Sequence, residues 1–89
     1  MNKKELKQAI NSVCSDLFAE CVAASMYSGQ PNQDDANAIL ASIVSARNDF
    51  VKRISHQEPG LSPKAYYDDL IKNFNQQAEE IVDQIVSLS

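Results

Sequence analysis

Apolar residues recur at steps of three and four along three stretches of this chain, and a helix breaker ends each of the first two. In ELKQAINSVCSDLFAECVAASMY the stripe is Leu6, Ile10, Val13, Cys14, Leu17, Cys21 and Ala24. That spacing keeps one face of a helix apolar. SGQPN follows, where Gly29 suits a left-handed C-terminal residue and Pro31 cannot continue the helix. Asn32 is a fair N-cap for the second helix, with Asp34 and Asp35 at the positive end of its dipole. Its stripe is Ala36, Ile39, Leu40, Ile43, Val44, Phe50, Val51 and Ile54, ending near His56 because Pro59 keeps Glu58 out of the α region. The third helix has the clearest start. Ser62 is the cap, Pro63 takes the first helical position, and Leu61 can staple to Tyr66. Tyr67, Leu70, Ile71, Phe74, Ala78, Ile81, Val82, Ile85 and Leu88 then form the stripe.

Helices over 3–28, 33–56 and 63–88, joined by short turns, predict an all-α, antiparallel up-down-up three-helix bundle. Counting outward from the turns gives matched layers: Leu6 with Ile54 and Tyr67, Ile10 with Phe50 and Leu70, Leu17 with Ile43 and Ala78, Cys21 with Leu40 and Ile81. Eighty-nine residues suit a single domain over 1–89. A chain this short buries roughly 60% of its unfolded surface, so help from a partner would matter.

Three features break the pattern. Arg47 falls inside the apolar stripe of the second helix. Either its stem packs and its guanidinium reaches the edge, or it joins a polar network in the core, with Asp16, Asn73 and Gln77 the nearest candidates. Next, Phe18, Val22 and Met26 form a second apolar line on the first helix. The runs Cys21 to Gln33 and Ala36 to Ala46 hold no charge at all. A helix apolar over so much of its circumference wants another neighbour. A homo-oligomer interface on the first two helices is therefore expected, on the Phe18, Val22 and Met26 side. The rival reading is a wide core face with ordinary surface Ala and Ser.

Charge supplies the third irregularity. The net charge is −4, against a surface that attracts nucleic acid overall. Yet Lys3, Lys4, Lys7, Arg47, Lys52, Arg53, Lys64 and Lys72 all map to one half of the bundle, with six acids among them. The other half carries only Glu20, Asp34, Asp35, Glu79, Glu80 and Asp83. Eight positive against six negative leaves +2 at one end and −6 at the other. A basic end built from Lys3, Lys4, Lys7, Lys52, Arg53, His56 and Lys64 could hold an anionic partner, although no DNA-reading helix stands out, so nucleic acid is not the expected one.

No catalytic constellation emerges. His56-Gln57-Glu58 has the H-x-E spacing of zinc deaminases without their P-C-x-x-C partner. Cys14 and Cys21 lie seven residues apart on one helix, roughly 10 Å, too far for a disulfide. With His56 they lack metal spacing, and on the buried face each behaves as a small hydrophobe. Neither exposure nor a cationic neighbour marks either thiol as reactive. Adjacent acid pairs such as Asp68-Asp69 point about 100° apart and do not make dyads. Catalytic, cofactor-binding and metal-binding residues are all expected to be absent. No apolar segment follows MNKKELKQAI, and none is long enough to span a bilayer. The expectation is a cytoplasmic, non-enzymatic helical interaction module, self-associating or an adaptor in an assembly. A regulator using its basic end is the alternative.

Overall fold

The computed structural model describes residues 2–27, 33–56, 60 and 62–88. They form α1 (Lys3–Tyr27), α2 (Gln33–Ser55) and α3 (Pro63–Leu88), and every pair of helices is in contact. The bundle measures 50 × 18 × 15 Å. The up-down-up order holds: Asn11 meets Arg47 and Cys21 meets Ala36, so α1 and α2 run antiparallel. Leu6 and Ile10 lie beside Ile71 and Phe74, so α1 and α3 run parallel.

Local chemistry sets the helix starts. Asn2 caps α1: its Oδ1 accepts from the Glu5 backbone N–H at 2.8 Å, and its Nδ2 donates to Glu5 Oε1 at 3.3 Å. Asn followed three residues later by Glu is the sequence signature of this cap. Ser62 caps α3 as expected, its Oγ accepting from the Ala65 N–H at 3.2 Å. Gly60 has φ +93°, a conformation that side chains resist. The proposed roles of Gly29, Pro31, Asn32, Pro59 and Leu61 lie outside the described residues.

Leu6, Ile10, Cys14, Leu17 and Cys21 of α1 meet Ile39, Ile43, Ala46, Phe50 and Ile54 of α2 and Leu70, Phe74, Ile81 and Ile85 of α3 in one core. Phe50 and Phe74 pack edge to face at 5.2 Å between ring centroids. Each such fully buried side chain stabilises the fold by about 1.5–3 kcal/mol.

The core is narrower than the stripes implied. Val13, Val44 and Val82 are exposed, while Ala46 is buried. The buried face of α2 centres on Ile39, Ile43, Ala46 and Phe50, so Val44 lies on the flank. Arg47 follows Ala46 by 100° and falls on the same flank. No polar or charged side chain is buried among the described residues, which excludes a core network around Arg47.

Candidate interaction face on α1 and α2

On the flank where α1 meets α2, large apolar side chains stay in contact with water. Phe18 is 41% exposed, Val22 37%, Met26 76% and, from α2, Val44 46%. Phe18 and Val44 border a groove of about 390 Å³ that Cys14 and Ile43 also line. The face has few polar needs of its own: the Ser25 hydroxyl at its edge donates to the Val22 carbonyl at 2.8 Å. Around it the sequence offers Ser15, Ala19, Ala23 and Ala41, all small and uncharged. The Phe18, Val22 and Met26 line therefore lies outside the core, where the sequence pattern put it. Val44 belongs beside it, not in the core.

One charge bounds this face. Arg47 Nε donates to Asn11 Oδ1 at 2.7 Å, and Nη1 donates to Asn48 Oδ1 at 2.8 Å. Two amide oxygens thus fix the guanidinium at the basic-end rim of the groove, with Nη2 still able to donate. None of the expected partners, Asp16, Asn73 or Gln77, is used in these bonds. Asn11 lies one turn earlier on the α2-facing side of α1, and the long Arg stem reaches back to it.

Arg47 also bears on Cys14. Burial pushes the Cys14 thiol above its ordinary range, and the guanidinium pulls it partly back. The cationic neighbour that the sequence did not reveal is therefore present. Cys21 is wholly buried, its Sγ 3.8 Å from the Ala36 carbonyl oxygen, and burial alone raises its pKa. Both thiols are free.

At the basic end, α2 and α3 enclose a cleft of about 550 Å³. Lys52, Arg53 and His56 line it as the sequence suggested, but Asp49 and Asp69 line it too. Arg53 is engaged with Asp49 at 2.9 Å and lies 4.9 Å over the Phe50 ring. Lys3, Lys4, Lys7 and Lys64 do not line this cleft. The two tyrosines have a structural use here that sequence reasoning left open. Tyr66 shares its hydroxyl proton between the carbonyls of Arg53 (2.8 Å) and His56 (3.1 Å), and Tyr67 donates to that of Ile54 at 3.5 Å. The first turn of α3 thereby bonds carbonyls at and just beyond the end of α2, where helical partners run out; that of Arg53 also accepts the His56 N–H at 3.2 Å.

Among the described residues, no three His, Cys, Asp or Glu side chains converge as a metal site requires, and no helix is long and apolar enough to cross a membrane. Comparison of the chain with protein-family models, curated proteins and solved structures gave no match.

Proposed function

We propose that the protein is a small, non-enzymatic helical interaction module working through its α1–α2 face. The observation that carries this is the exposure of Phe18, Val22, Met26 and Val44 on one flank, with Arg47 at its rim. Leaving such side chains in water forgoes burial worth about 25 cal/mol per Å², which a partner would recover. The free thiols Cys14 and Cys21 suit a cytoplasmic address, where disulfides are rare. The alternative, a regulator holding an anion at its basic end, draws support from the gathering of Lys52, Arg53 and His56. It ranks second because Asp49 and Asp69 share that cleft and Arg53 is already paired.

Affinity capture under native conditions, followed by mass spectrometry, tests the first reading. The wild-type chain should retain a reproducible protein set that Val22→Glu loses while its circular dichroism is unchanged. Equal retention by both would end the reading.

A further inference from the structure

We propose that the groove between α1 and α3 is a second docking surface, and that its occupant is a basic amphipathic helix of another protein. It lies apart from the α1–α2 flank: Val13, on its wall, stands about 140° round α1 from Phe18.

The parallel pair α1 and α3 leaves two contiguous depressions, of about 130 and 510 Å³, with Val13 and Asn75 lining both. From Leu6 to Leu17 they run for about 17 Å, three turns of a helix. Ala78 is the small residue of the α3 stripe, one turn from both Phe74 and Val82. It leaves a hole walled by Val13, Leu17 and Val82, of which both valines are exposed. A hole of this kind takes one large apolar side chain from a facing helix. Both walls are helices whose backbone is already bonded, so an extended peptide would find no edge to pair with. A helix satisfies its own backbone and presents a row of apolar side chains at i, i+4 and i+7.

Charge decides what must flank that row. On α3, Glu79 and Asp83 line the groove. On α1, Asp16 and Glu20 follow Val13 by angles that set them about 60° and 20° outside it, on the rim facing α3. Val13 shares its wall with Asn75, and Leu17 with Ala78 and Val82, so Asp16 and Glu20 stand level with Glu79 and Asp83. Four exposed carboxylates thus bracket the hole, two on each rim. None of the four makes an ion pair with another described residue. Lys72, the nearest cation on α3, stands seven residues before Glu79, about 10 Å away along the helix. Neither helix has a cation in its last turn, and these acids stand toward the negative ends of both dipoles. Lys or Arg on either side of an apolar row would relieve that repulsion while the row fills the hole. A merely solvated acidic face needs no apolar hole between its carboxylates.

Isothermal titration of the full chain tests this with two synthetic peptides. One is a helix of about 14 residues, roughly 21 Å, with Leu on one stripe and Lys flanking it; its twin carries Glu for Lys. The Lys peptide should bind in the micromolar range and more weakly as salt rises. The Glu twin should bind at least about tenfold more weakly. Glu79→Lys with Asp83→Lys should remove most of that preference and raise affinity for the Glu twin, a gain that misfolding could not produce. Val82→Glu should lose the Lys peptide, whereas Val22→Glu, on the α1–α2 flank, should keep it, with circular dichroism unchanged in both. Equal binding of the two peptides, no binding of the Lys peptide at millimolar concentration, a preference unmoved by the charge reversal, or loss of binding in Val22→Glu each overturns the proposal. The α1–α2 reading stands or falls separately, on its capture experiment.

Discussion

Cys14 and Cys21 are the groups whose ionisation the fold resists. Burial raises both thiols, with Arg47 opposing at Cys14. Their folded pKa values therefore exceed the unfolded ones, and the folded chain holds its thiol protons longer. The associated stability is complete below the unfolded value, about 8.5, and is lost as pH rises through the raised folded values. Urea midpoints should hold level through neutral pH and fall above about pH 9, with the decline reduced in Cys14→Ala. Exposure and the guanidinium also order the two thiols: Cys14 should react with a disulfide reagent before Cys21, which no solvent reaches. Peptide mapping after partial labelling checks that order. Arg47 shows what periodicity conveys and what it misses. The wheel put it near the stripe, but its partner Asn11 depends on how α1 and α2 slide past one another. No single-helix pattern encodes that offset.

Helix boundaries were the most legible elements, because their signals are local. Pro63 begins α3 where Ser62-Pro63 said it would, and α2 starts at Gln33 as expected. The flanks were the least legible. Val13, Val44 and Val82 obey the helical period as well as their buried neighbours do. They stay wet because the buried faces centre away from them, which depends on where the neighbouring helices lie. Phe18, Val22 and Met26 could be read as surplus because a second apolar line exceeds what one stripe needs. The corner before α3 carries a local test. A methyl group at Gly60 would meet nothing within 4 Å, so Gly60→Ala should cost only backbone strain, about 1 kcal/mol. Gly60→Asn should cost less, since Asn tolerates positive φ. Ser62→Ala should cost about 1 kcal/mol by removing the cap to Ala65. Thermal melts of the three variants distinguish strain from lost capping.

The molecule as a whole is a rod with unlike ends, and side-by-side and end-to-end packing of such rods would leave different signatures in solution. A single copy has a Cα radius of gyration of 14.7 Å. Side-by-side packing with a short stagger raises this to about 18 Å, given centres about 20 Å apart for neighbouring bundles. End-to-end stacking would approach 29 Å, about the value for centres one 50 Å length apart. Small-angle scattering over a dilution series should therefore hold at the first value for a single copy and distinguish either packed arrangement from it. The charge asymmetry was legible once the turns were placed, because it needs only chain direction. The mixed charge of the basic cleft was not, because Asp49 and Asp69 join it through the packing of α2 on α3. That packing has one more effect. A helix end ordinarily frays alone, releasing carbonyls one at a time. At and just beyond the end of α2, tyrosine hydroxyls of α3 hold the carbonyls of Arg53, Ile54 and His56, the first of them together with the His56 N–H. Opening the end of one helix therefore loosens the start of the next, and the tyrosine hydrogen bonds clasp α2 to α3 directly.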